Sequence, residues 1–210
     1  MAKLSNNILG PFSGRIGNVV GSSWKGIPYL KSAHSTRTKK ISDKEKANRQ
    51  KFKLAQEWLT PLLDFVRQGY KGYTLTVEGF VAAKSYLMKN AMEIDGASIR
   101  INPAKMKVSV GTLPLPENIA VKPTEDLQIQ FTWDTTRVQG ALDRDQVMLL
   151  AYDIEKEQAT YTTAGEFRHT GSATLPAPCR KGAKCHVYLA FVAVDRSRQS
   201  DSIYLGEITI

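Results

Sequence analysis

Leu127-Gln-Ile-Gln-Phe-Thr-Trp133 reads as a β-strand, and the fold of the chain turns on what surrounds it. Six further short strands are legible at 119–121, 147–152, 159–162, 172–175, 186–194 and 202–210. Seven short strands spread over roughly 95 residues suggest an antiparallel β-sandwich occupying 117–210.

Upstream of that unit, Leu113-Pro-Leu-Pro-Glu117 reads as a linker. Residues 97–102 and 106–110 alternate apolar and polar side chains on either side of Pro103, which predicts a small hairpin. Residues 42–92 read as helical. Ser42-Asp-Lys-Glu45 has the form of a capping box, with Asp43 and Glu45 favourably placed in a first turn. Ala47, Leu54, Ala55, Trp58, Leu59, Leu62, Phe65 and Val66 then recur at helical spacing. Thr60-Pro61 restarts or kinks the helix, because proline fits a first turn but lacks the N–H an interior needs. A further helix is predicted over 80–92, with Phe80, Ala83, Tyr86, Leu87 and Ala91 on one face.

The first unit, 1–41, is different. Gly10-Pro-Phe-Ser-Gly-Arg-Ile-Gly-Asn-Val-Val-Gly-Ser-Ser-Trp-Lys-Gly-Ile-Pro-Tyr29 is too rich in glycine for a helix and too apolar for a plain flexible linker. Short strands or turns that pack on something are expected there, followed by an extended basic tether over 32–41. The fold class expected overall is α+β. A basic Gly-rich arm (1–41) precedes a helical segment with a small hairpin (42–112), and a sandwich (117–210) follows.

Two resemblances bear on this layout. Leu127–Trp133 looks like the second strand of a fibronectin type III or immunoglobulin-like module with its core tryptophan. Leu175 and Tyr188-Leu-Ala-Phe-Val-Ala-Val194 look like that module's corner leucine and tyrosine-bearing sixth strand. This likeness implies a fold and nearly nothing about function. The run Gly10–Gly26 resembles the signature of a family of uncharacterised Bacteroidota proteins, as do Tyr161-Thr-Thr-Ala-Gly165 and Val187-Tyr-Leu-Ala-Phe191. That resemblance spans essentially the whole chain and implies a stand-alone protein of this layout, with no activity attached.

Composition sets outer bounds. The chain has 210 residues, 42% of them hydrophobic and 23% charged, which is an ordinary globular balance. It excludes wholesale disorder, collagen and disulfide scaffolds, and there is no apolar run of the roughly 18 residues a membrane helix needs. Residues 1–53 carry 12 Lys and Arg against Asp43 and Glu45, a net charge of +10, while the remaining 157 carry 17 basic and 18 acidic side chains. A basic segment on a neutral body implies a polyanionic partner, or a solvated face that keeps the protein in solution. Met1–Gly10 lacks the apolar core of a signal peptide, and Cys179 and Cys185 are the only cysteines, so the cytoplasm is expected, or a virion if a mobile element encodes the chain.

Catalytic and metal chemistry find little footing. Gly21-Ser-Ser-Trp-Lys-Gly26 lacks the order of a phosphate loop, and no Gly-x-Ser-x-Gly elbow occurs. Cys179, Cys185, His186 and His169 do not have zinc spacing, and Arg180, Lys181 and Lys184 between the cysteines repel a cation. Asp143/Asp145 and Glu155/Glu157 read as solvated carboxylates in hairpin loops. No catalytic residue, metal or cofactor is assigned.

Nucleic-acid contact has more support. Arg15, Lys25, Lys31, Arg37, Lys39 and Lys40 can neutralise phosphates, and Trp24 and Tyr29 can stack on bases. Without a helix-turn-helix, finger or RNP signature, such binding would not be sequence-specific. The competing expectation has Trp24, Ile27 and Tyr29 packing on the protein's own helices, with only the lysines in solvent. The leading expectation is a non-enzymatic structural or assembly protein, of a virion or other mobile-element assembly. Its basic segment would contact another subunit, a second copy or nucleic acid, and no membrane. The alternatives are a non-specific nucleic-acid-binding protein and an enzyme of unrecognised type, which would show a cleft of titratable groups.

Overall fold

The glycines that argue against a helix in the first unit place the turns of a small sheet. The computed structural model describes residues 2–3, 12–35, 40–73, 77–95, 98–178 and 180–210. They fall into two units, Met1–Ser42 and Asp43–Ile210.

In the first unit, β1 (Ala2–Lys3), β2 (Gly14–Ile16), β3 (Val19–Trp24) and β4 (Ile27–Ser32) form an antiparallel sheet of order β1-β4-β3-β2. Two-residue turns close it, Gly17-Asn18 between β2 and β3 and Lys25-Gly26 between β3 and β4. Lys25 (φ 50) and Gly26 (φ 79) both take left-handed backbone, as the turn that matches strand twist requires. Gly21 serves a different purpose. A Cβ there would fall 2.8 Å from the Phe12 ring, so the missing side chain is what lets Phe12 lie against the strand.

The second unit opens with α1 (Asp43–Leu59), passes through a 3-10 turn at Thr60–Leu62, and continues as α2 (Leu63–Gly69). Pro61 sits at the start of that turn, where no N–H is needed, and Thr60 Oγ1 donates back to the Gln56 carbonyl at 2.7 Å. α3 (Gly79–Tyr86) runs into a π turn at Leu87–Ala91, so the helical region stops one residue before Met92.

The expected hairpin of 97–102 with 106–110 does not form. β6 (Ser98–Ile101) pairs instead with β5 (Met92–Asp95). Asn102 accepts from the Ala104 N–H and turns Pro103–Lys105 into a 3-10 turn, which sends the chain away from β6. The backbone beyond it is satisfied elsewhere: Val108 N donates to Ser202 Oγ and Val110 N to the Gly69 carbonyl.

The remaining strands are β7 (Ala120–Pro123), β8 (Gln128–Thr132), β9 (Gln146–Asp153), β10 (Gln158–Thr162), β11 (Ser172–Pro176), β12 (Lys184–Val192) and β13 (Ile203–Thr209). They make two antiparallel sheets, of order β10-β9-β12-β13 and β11-β8-β7. Ile129 and Phe131 of the smaller sheet pack with Val147, Leu149, Val187, Leu189 and Phe191 of the larger one. The other face of the larger sheet is covered as well. Met148, Leu150, Tyr152, Tyr188 and Ala190 pack with Trp58, Leu62, Phe65 and Leu87 of the helices. The helical segment and the sheets therefore form one unit of three layers. β9 and β12 are buried on both faces, which explains why Val147–Tyr152 and Val187–Val192 carry almost no polar residue.

Candidate nucleic-acid interface

Antiparallel register decides which side chains of the first sheet share a face, because directly paired residues point the same way. Arg15 pairs with Val20, which pairs with Lys31. Two residues further along β3, Ser22 pairs with Tyr29, and two further again Trp24 pairs with Ile27. Arg15, Lys31, Tyr29 and Trp24 thus stand on one face, in three successive rows. Rows lie about 7 Å apart, twice the strand rise per residue.

The opposite face carries Ile16, Val19, Pro28 and Leu30 among Gly14, Gly21, Ser23 and Ser32, with no charged residue in β2–β4. Both faces leave large apolar groups in solvent: Ile16 is 66% exposed on the uncharged face and Trp24 52% on the basic one.

Local contacts arrange the basic face. Arg15 Nε donates to the Gly17 carbonyl at 2.9 Å, which ties the guanidinium to its own turn. Lys25 Nζ lies 5.0 Å from the centre of the Trp24 ring, and Lys31 Nζ 6.0 Å from that of Tyr29. These are cation–π distances that hold each ammonium beside an aromatic surface. Lys40 is exposed just before α1, and Arg37 and Lys39 lie outside the described residues. Sequence spacing alone does not assign the anchoring of Lys25 over Trp24. The two-residue gap at Lys25-Gly26 is the readable sign, since it makes Trp24 and Ile27 a terminal pair.

The two histidines of the second unit lie apart, and each has a local partner. His34, in the first unit, is exposed. His169 stacks on Phe167, with Nδ1 3.0 Å from the Asp143 carbonyl. His186 Nδ1 lies 2.8 Å from Tyr204 Oη, and Nε2 lies 3.7 Å from Glu207. Burial pushes the His186 pKa down, against the opposing pull of Glu207. Asp145 departs from the expected solvated loop: it is 1% exposed and accepts from the Leu142 N–H. Its neighbour Arg168 is buried too, 4.0 Å away, an ion pair without a hydrogen bond. Cys185 is buried in the sheet core, and Cys179 lies outside the described residues. Among the described residues no three His, Cys, Asp or Glu side chains converge in a metal-binding group. Nor is any helix among them long and apolar enough to cross a membrane.

A family model described as a family of unknown function (DUF6266) matches residues 11–206. No curated protein and no solved structure matches the chain.

Proposed function

The chain belongs to this family of unknown function, and we propose that it is a non-enzymatic structural or assembly protein whose N-terminal sheet is its contact element. The carrying observation is the division of that sheet by register into a face with Arg15, Lys31, Tyr29 and Trp24 and a face with no charge. A single sheet must bury an apolar face against another layer. Ile16 and Val19, both exposed, supply that need and support self-association through the uncharged face. The basic face is left for a polyanion. A virion or other mobile-element assembly is the setting in which both contacts are used together.

The three-layer unit is then a scaffold. The strand order supports reading its two sheets as a fibronectin type III-like sandwich, with β7, β8 and β11 on one side and β9, β10, β12 and β13 on the other. Trp133, packed edge-on against Phe191 in the shared core, favours the same reading. Tyr188 departs from the module's pattern, because it faces the helical layer and donates to the Pro103 carbonyl at 2.8 Å. We take the Gly10–Gly26 run as the family's signature, since it builds β2, β3 and both turns.

Chemical cross-linking of the full chain, beside the Ile16→Asp variant, tests the assembly role. A ladder that the variant loses supports the reading. A chain that stays monomeric, or a ladder indifferent to Ile16→Asp, overturns it.

A further inference from the structure

We propose that the basic face of the N-terminal sheet binds single-stranded nucleic acid, with bases stacked on Trp24 and Tyr29 and phosphates held by Arg15, Lys25 and Lys31. This rests on the contact role just assigned to the sheet and names the partner of one of its faces.

Three observations carry it. The first is charge. Residues 1–42 contain Lys3, Arg15, Lys25, Lys31, Arg37, Lys39 and Lys40 and no Asp or Glu, so an occupant must bring the anions. The second is the accessible aromatic surface on the cationic face. Trp24 is 52% exposed, whereas Trp58 and Trp133 are each 5% exposed and belong to the cores. A half-open indole with Lys25 beside it, on the same face as Arg15 and Lys31, is costly to leave in water and suited to stacking on any base, because every base has a π-face. The third is spacing. Tyr29 and Trp24 stand in successive rows about 7 Å apart. That is twice the 3.4 Å per nucleotide of a duplex strand, so the rows fit an extended strand with splayed bases. A duplex keeps its bases paired and stacked on one another, and offers this face only phosphates.

The cation–π contacts keep the charges beside the aromatic rings. Lys25, 5.0 Å from the Trp24 ring centre, steadies one side of the indole and places its charge next to the stacking surface. The hydrogen bond from Arg15 Nε to Gly17 does the same for the phosphate-binding end.

The test uses the full chain at low salt with three probes: an oligothymidylate, a duplex of equal length, and inorganic polyphosphate. Trp24 is the exposed tryptophan, so quenching of the intrinsic fluorescence by a contacting base reports on it. The oligothymidylate is expected to quench the fluorescence and polyphosphate to bind without quenching. Anisotropy of labelled oligothymidylate should show binding about tenfold weaker for Trp24→Leu and nearly restored for Trp24→Phe, with polyphosphate affinity unchanged. Tyr29→Leu gives a second reading should Trp24→Leu fold poorly. Equal binding of all three probes, indifferent to Trp24→Leu, overturns the stacking proposal and leaves a polyanion contact standing. Tighter binding of the duplex overturns it as well. If none of the probes binds at low salt, the polyanion face itself falls.

Discussion

The Arg168 guanidinium lies 4.4 Å over the ring of Phe191, at the buried edge of the core between the two sheets. From there Nη2 donates to the Pro114 carbonyl at 2.6 Å, and the Arg168 carbonyl accepts from Trp133 Nε1 at 2.7 Å. One residue thus joins the linker before β7, the loop before β11 and the aromatic centre of the sandwich. Burial pushes the Arg168 pKa down, with Asp145 and Asp143 opposing the shift. The arginine remains charged, so its neighbours must compensate it.

Removing that charge leaves Asp145 buried without its cation. Arg168→Met is expected to destabilise the protein by about 3 kcal/mol, a fall in Tm of roughly 6–12 °C for a domain of this size. The double variant Arg168→Met/Asp145→Asn should recover part of that loss. Thermal unfolding followed by circular dichroism checks both, and an unchanged Tm in the single variant contradicts the reading.

Close backbone approach makes Gly111 sensitive. A Cβ there would fall on the Gln199 carbonyl, 2.7 Å from its carbon. Gly111→Ala should therefore cost about 1–3 kcal/mol through overpacking. Val81, 51% exposed on α3, is the matching control. Its replacement by alanine should stay within about 0.5 kcal/mol. Urea denaturation measures both.

His186 gives stability a pH dependence of known sign. Burial lowers its folded pKa, Glu207 raises it and Lys184 lowers it, with Tyr204 hydrogen-bonded on the other side. As pH falls below about 6.5, the unfolded chain takes up the proton first, so stability present above that pH is lost on acidification. The carboxylates with lowered pKa, Glu93, Asp134, Asp195 and Glu207, contribute in the same direction but only at lower pH. His186→Gln should flatten the slope between about pH 7 and pH 5. A slope unchanged in that variant would rule His186 out as its source.

Salt dependence separates phosphate contacts from stacking. Arg15→Gln and Lys31→Gln should each reduce the slope of log affinity for oligothymidylate against log salt by about 0.7. Trp24→Leu should lower affinity and leave that slope in place. A slope insensitive to both charge variants places the phosphates elsewhere.

Much of this architecture is legible in the sequence, for reasons that differ by element. The strands of the last unit are recognisable because turns bound them at regular intervals, and α1 because Leu54, Ala55, Trp58 and Leu59 repeat at helical spacing. The third layer is harder to see. Its signal is the unbroken apolar runs at Val147–Tyr152 and Val187–Val192, which mark strands covered on both faces. The pairing of β6 with β5 depends on where a π turn ends a helix, and alternation over 97–110 does not encode that. At the candidate interface the residue types are visible in sequence, but their shared face is not. A one-residue change in the β2–β3 turn would part Arg15 from the other three, and one in the β3–β4 turn would part Arg15 and Trp24 from Tyr29 and Lys31, so the site exists only through register. Asp145 reads as a loop carboxylate, because its buried partner Arg168 lies beyond two strands.

The most direct test of a two-faced contact sheet is the light-scattering mass of the full-length protein, alone and with an oligothymidylate, at low and high salt. The account predicts a defined oligomer without nucleic acid, and a gain in mass with it at low salt that high salt reverses. A monomer whose mass does not change when nucleic acid is added at low salt would contradict it.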